Sequence, residues 1–315
     1  MSEPIHHEPA LMHRFVLPAA FIGLGLIWGS SFLWIKIAID ELSPATLVAW
    51  RMTLGAAGML ALLPFIGRRL PYAPGDLTKL AVLGLINTAL PIFLISWGEQ
   101  FIDSGTAAVL NSMAPLFSLI IAGAMLRSEP VTRVRVIGLL IGFAGAAVLA
   151  GREFALDADP ASLIGVLAVA VAALSYAAGA SYTRHSIRGM HRFELAAGTL
   201  LFATAYAWIL ALVVDGGVTL PTQPGPIVAV LWLGLVGSFV AYLLYFTLIE
   251  HLGATVAAMV TYLFPVVGVG LGVIFLGELL DLRLIVGASL VVLGIVVVTL
   301  RYDALMRRRT GETAH

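Results

Sequence analysis

Ten apolar stretches, each near twenty residues long, constrain the fold of this chain more than any motif. They run over 15–39, 44–66, 77–97, 103–126, 132–150, 161–183, 193–214, 226–249, 254–277 and 283–301. The hydrocarbon core of a bilayer takes about 20 residues of helix to cross, so each stretch is long enough to span it. The connections between them are too short for a soluble domain. A helix satisfies its own backbone N–H and C=O groups in lipid. Strands of a barrel would alternate polar and apolar residues, which these stretches do not. Composition agrees: 60% of the 315 residues are hydrophobic and 11% charged, where an average soluble domain carries about 25% charged residues. The expected fold is an all-α membrane protein of ten transmembrane helices.

Several function classes drop out. The chain has no cysteine, which removes disulfides, thiolate metal sites and thiol nucleophiles. A formal net charge of zero argues against a nucleic-acid partner. No signal peptide is expected, because Met1–Arg14 carries two Glu, two Pro and three His and lacks a basic start. HExxH and GxSxG are absent and no span carries two acidic residues at mid-depth, so a membrane enzyme is not expected, nor is any cofactor or metal.

Basic residues set an orientation, since Lys and Arg are retained on the cytoplasmic side. With the N-terminus inside, the inner segments hold Arg14; Arg68, Arg69 and Lys79; Arg127, Arg133 and Arg135; Arg184, Arg188 and Arg192; and Arg301, Arg307, Arg308 and Arg309, which is 14 of the 18. Outer connections hold only Arg152 and Arg283. Both termini are therefore expected in the cytoplasm, in a multi-pass protein of the bacterial inner membrane.

Shifting the chain by 149 residues aligns Thr106 with Thr255, Glu129 with Glu278, Gly138 with Gly287 and Gly145 with Gly294. Pro115 and Pro265 match with one residue of slippage. Two five-helix halves follow, residues 1–150 and 151–301, before a basic tail, 302–315. Five is odd, so the halves sit inverted in the membrane, the architecture of alternating-access carriers.

Trp28–Ala38 (WGSSFLWIKIA), Arg51, Pro115 followed by Glu129, and Pro265 followed by Leu276–Glu278 (LGE) together resemble the drug/metabolite transporter superfamily, EamA type, over almost the whole chain. The first half reads Arg127-Ser128-Glu129 where the second has LGE. The resemblance implies a carrier of small organic metabolites, and the chain is most similar to the bacterial amino-acid exporters of that family, the aromatic amino-acid exporters among them. A monomer or weak homodimer is expected.

Within the spans, Pro91, Pro115 and Pro265 free the carbonyls of Asn87, Asn111 and Thr261. Asn87 and Asn111 are candidate recognition points, and Pro115 and Pro265 candidate hinges. Ser238, Tyr242 and Tyr245 share one helix face; Ser175, Gly179 and Tyr182 repeat that spacing. Trp28, Tyr176 and Tyr262 also lie away from the interfaces. Packing alone would explain each aromatic singly. A cavity walled by Trp28, Ser175, Tyr176, Ser238, Tyr242, Tyr245 and Tyr262 with the two amides would suit an uncharged or zwitterionic substrate with an apolar side chain.

Intramembrane ionisable residues are functional candidates by default. Lys36 and Arg51 lie near the outer ends of their spans, and either could form an outer gate with Glu99. Span 1 holds no acidic residue, so the glutamate-based exchange of small multidrug antiporters is not expected, while a proton site elsewhere stays open. Gly25–Gly29, Gly138–Gly142 and Gly268–Gly272 permit close helix approach; the first pair is expected to pack within its own half, the second inside the bundle or at a dimer contact. The expected function is export of small metabolites, most of all amino acids. Drug or organic-cation efflux and a lipid or lipid-linked sugar flippase are the alternatives.

Overall fold

The computed structural model describes residues 15–70, 73–121, 133–157, 159–187 and 189–310. Met1–Arg14 and the Arg127-Ser128-Glu129 motif lie outside them. Among the described residues every regular element is helical. In chain order these are α1 Leu17–Ala38, α2 Pro44–Phe65, α3 Pro74–Gly98, α4 Ser104–Ile120, α5 Arg133–Asp157, α6 Pro160–Ser186, α7 Arg192–Asp215, α8 Pro224–Leu252, α9 Met259–Leu276 and α10 Leu282–Thr310. Eight are long and apolar enough to cross a membrane, while α4 and the Leu282–Val298 part of α10 are shorter apolar helices.

The connecting prolines start helices. Pro44, Pro160 and Pro224 occupy first-turn positions, where the missing N–H has no helical partner to lose. The Ser43 hydroxyl accepts from the Thr46 N–H at 3.1 Å, and the Asp159 carboxylate from the Ala161 N–H at 2.8 Å, so two of these starts are capped as well. Helix α5 runs on to Asp157. Arg152, expected in a connection, therefore lies inside a helix and is buried; hydropathy falls at Arg152, but its charge is matched by tertiary partners.

Three helices change their pitch. π-helical turns interrupt α3 at Leu85–Ala89 and α8 at Trp232–Val240, and close α9 at Gly272–Leu276. α4 breaks at Ser112–Met113, and α9 begins with a 3₁₀ turn, Met259–Leu263. Pro115 and Pro265 each restart an α-helix after those breaks, and Pro91 restarts α3 after its π turn. Such irregularities concentrate at functional sites.

Small residues set the closest approaches. Gly138 lies against Gly294 and Val298, and Gly145 against Gly287 and Val291, so α5 and α10 touch almost backbone to backbone. Gly142 faces Leu116, placing the Gly138–Gly142 pair inside the bundle. Gly25 and Gly29 face Leu263 and Val267 of α9, not a helix of the first 150 residues as expected. Glycine spacing promises a close neighbour but does not name it. Large apolar side chains such as Leu140, Leu167, Val213 and Ile274 are exposed on the outside of the bundle, as lipid contact requires.

Two buried apolar clusters form the interior. One draws chiefly on α1, α4, α8 and α10, the other on α2, α3 and α7. Tyr176 and Tyr245 pack against both and mark the seam.

Candidate functional site

At this seam sits a buried guanidinium. Arg51 lies seven residues into α2, about 10 Å along the helix at 1.5 Å per residue, and is 6% exposed. Its Nε donates to the Ser238 hydroxyl at 3.2 Å, which in turn donates to the Leu233 carbonyl at 3.0 Å. Leu233 is five residues before Ser238, within the π stretch of α8, so the widened turn presents the hydroxyl that receives Arg51. Gly237 in the same stretch accepts from the Trp28 indole at 3.1 Å. Among the described residues no carboxylate forms an ion pair with Arg51.

Aromatic rings cluster around Trp28 beside it. Trp28 lies 5.3 Å from Tyr245, 6.5 Å from Tyr242 and 6.4 Å from Phe264, centroid to centroid. Tyr176 and Tyr242 lie within electrostatic reach of Arg51, and Tyr242 stands beside Thr88 of α3. Trp28, Tyr176, Ser238, Tyr242 and Tyr245 thus converge on one point, from α1, α6 and α8. Sequence spacing aligned the three on α8; it offered no sign that Arg51 would join them.

The remaining polar candidates lie elsewhere. The Ser175 hydroxyl donates to the Ile86 carbonyl in the α3 π turn at 2.5 Å, and Asn87 presses against Gly179 of α6. Both therefore join α3 to α6. Asn111 is buried at the end of the first part of α4, and among the described residues its Oδ1 accepts no hydrogen bond. Tyr262 packs against the larger apolar cluster from the 3₁₀ turn of α9.

A second polar assembly closes one end of the bundle. Glu278 accepts from the Ser104 N–H at 2.6 Å and the Gly105 N–H at 2.9 Å, capping the N-terminus of α4, where a carboxylate is favoured. Arg152 bridges Asp103 at 2.9 Å, Asp281 at 3.1 Å, the Leu279 carbonyl at 2.7 Å and Glu153. Glu153 in turn accepts from the Thr106 hydroxyl and, at 3.2 Å, from the Asp103 N–H. These contacts tie α4 and α5 to the turn between α9 and α10. Lys36 donates to the Glu99 and Ile102 carbonyls, the second at 2.9 Å, and borders a surface cavity of about 270 Å³ with Asp103 and Asp159. The Glu99 side chain is fully buried nearby. The signal for this assembly in the sequence was the Arg152–Glu153 pair, which reads as the edge of a connection until Asp281 and Asp103 are brought to it.

An all-helical, lipid-faced bundle with a polar seam and a closed end describes a multi-pass membrane transporter. The profile of the EamA-like transporter family matches residues 18–151 and again 163–300, and the chain belongs to that family. It is 28% identical over 271 residues to an uncharacterized transporter of Archaeoglobus fulgidus, covering 86% of this chain and 94% of that protein. It is 29% identical over 294 residues to the uncharacterized inner membrane transporter YedA of Escherichia coli K12, covering 91% and 92%. A probable terminal-alkyne amino-acid exporter of Streptantibioticus cattleyicolor is 26% identical over 287 residues, covering 91% and 93%. One solved crystal structure superimposes with a TM-score of 0.65 at 20% identity over 95% of this chain and 100% of the other, which bears on the fold alone.

Proposed function

We propose that this protein is an inner-membrane secondary transporter exporting amino acids, aromatic or otherwise apolar, by alternating access. The observation that carries the reading is Arg51, a buried guanidinium bonded to a hydroxyl, within electrostatic reach of Tyr176 and Tyr242 and beside Gly237, whose carbonyl takes the Trp28 indole. A fixed fork of N–H donors suits a carboxylate, and the rings suit an apolar side chain. A buried cation repels an organic cation, which sets this reading above drug efflux; a single arginine is a thin headgroup pocket for a lipid flippase. Relationship to a probable amino-acid exporter supports the same substrate class.

Ten helices in two inverted repeats, 1–150 and 151–301, with 302–315 as a basic tail, complete the proposal. Adding 149 to Leu85–Ala89 lands on 234–238, inside the π stretch of α8. The break at Ser112–Met113 likewise maps onto the 3₁₀ turn of α9. The glycine contacts 138 with 294 and 145 with 287 exchange under the repeat. The Arg152 end faces outward and both termini face the cytoplasm, in keeping with the distribution of Lys and Arg. Pro115 and Pro265 act as hinges, Lys36 and Glu99 stand at the outer gate, and Asn87, Asn111 and Tyr262 line the path the substrate takes as the hinges move.

The test is uptake of labelled phenylalanine and of an organic cation into liposomes carrying the purified protein. Saturable phenylalanine uptake, falling at least tenfold in Arg51→Ala, is expected. Uptake of the cation alone, or lipid scrambling without solute flux, would replace this reading by one of the alternatives.

A further inference from the structure

Glu99 follows the last helical residue of α3. Its side chain is 0% exposed, and neither carboxylate oxygen accepts a hydrogen bond among the described residues. An ionised carboxylate buried without donors is strongly disfavoured and takes up a proton instead. Two cations stand nearby, and neither donates to this carboxylate. Lys36 from α1 spends its ammonium on the Glu99 and Ile102 main-chain carbonyls. Arg51 from α2 donates its Nε to Ser238. Of the acidic groups, Glu278 caps α4, while Asp103 and Glu153 are held by Arg152. Helix α6 meets this end of α3 through Gly165 and Val169 against Gly98, with Asp159 at its start across the surface cavity. That cavity is bordered by Lys36 and by Gln100 to Asp103, the residues just after Glu99.

We propose that Glu99 is the proton-binding group that ties closure of the Arg152 end to pH, protonated while that end is closed and exchanging its proton with water when it opens. The O–H bond forms with a proton from water at the open end and breaks there when the carboxylate is re-exposed. The closed state then binds one more proton than the open state. Acid favours closure and rising pH favours opening, with the ratio changing about tenfold per pH unit between the two ionisation ranges. The proposal rests on alternating access but not on the identity of the substrate.

Two spin labels read this without any substrate. The chain lacks cysteine, so Asp40→Cys and Leu280→Cys, both exposed, label the two sides of the closed end in full-length protein in liposomes. The expected result is a closed-distance population that falls as pH rises from about 5 to about 9, and that stays high and flat in Glu99→Gln, which mimics the neutral acid. Glu99→Asp keeps a titrating group and retains the pH response. In transport assays, acidifying the Arg152 side is expected to slow amino-acid exchange several-fold in the unmodified protein and to change it by less than twofold in Glu99→Gln. A flat distance distribution in the unmodified protein, or an equal pH response in Glu99→Gln, overturns the proposal. Absence of amino-acid flux with the pH-dependent distances intact overturns the substrate reading alone.

Discussion

Individual charges in this protein are settled by their partners. Arg152 is 1% exposed and neutralises a carboxylate, Glu153, that is equally buried. Replacing Arg152 with Ala strands that charge, and breaking such a pair costs about 3–5 kcal/mol; a clear fall in thermal midpoint in detergent is the expected reading. At Arg51 the geometry of the donors matters as well as the charge. Arg51→Lys keeps the cation but loses the fork, and amino-acid uptake is expected to stay at least tenfold below the unmodified level. Glu41, in the connection between α1 and α2, accepts from the Thr222 hydroxyl and from the Gln223 and Thr222 N–H groups. These bonds hold its carboxyl below the usual carboxylate range. Its contribution to stability is therefore complete above the ordinary carboxylate pKa and is lost as pH falls through the lowered one. Thermal midpoints followed downward from about pH 6 should drop less in Glu41→Gln than in the unmodified protein.

At the scale of helices, irregular turns do what regular α-helix cannot. The α8 π stretch presents Ser238 to Arg51 and the Gly237 carbonyl to Trp28. The breaks before Pro115 and Pro265 leave α4 and α9 in two segments each, able to bend without unfolding. Pro115→Ala, which permits a continuous helix, is expected to slow the transport cycle several-fold with an unchanged or higher thermal midpoint. Gly145→Val acts in the opposite sense. A Cβ there meets the Gly287 carbonyl at 2.7 Å and the Val291 nitrogen at 2.8 Å, and overpacking costs about 1–3 kcal/mol, read as lost thermal stability. The prolines were legible in the sequence because proline always costs a helical hydrogen bond. The π turns were not, since no residue type demands an i→i+5 bond; the neighbouring helices that use the freed groups select it.

Across the whole molecule, closure of the Arg152 end joins residues far apart in sequence, Asp103 to Arg152 to Asp281 and Ser104 to Glu278. Ser104 and Gly272 are close enough there that a Cβ on Gly272 would stand 2.9 Å from the Ser104 hydroxyl. Because that Cβ would also run into the Glu278 carboxylate, a Ser104→Cys, Gly272→Cys pair combined with Glu278→Ala should form a disulfide on oxidation, abolish transport while it persists, and release it on reduction; full transport in the oxidised form would show that this end does not open in the cycle.

The sequence by itself determined that the chain is a helical membrane protein, roughly where its helices run, and which family it belongs to. Each of these follows from local quantities: twenty apolar residues span a bilayer whatever surrounds them, and a proline starts or breaks a helix wherever it stands. Tertiary structure alone decided which polar residues meet. Lys36 satisfies main-chain carbonyls, Arg51 docks on α8, and Gly25 and Gly29 face α9, because hydrogen bonds, ion pairs and desolvation depend on distances between helices that no periodicity encodes.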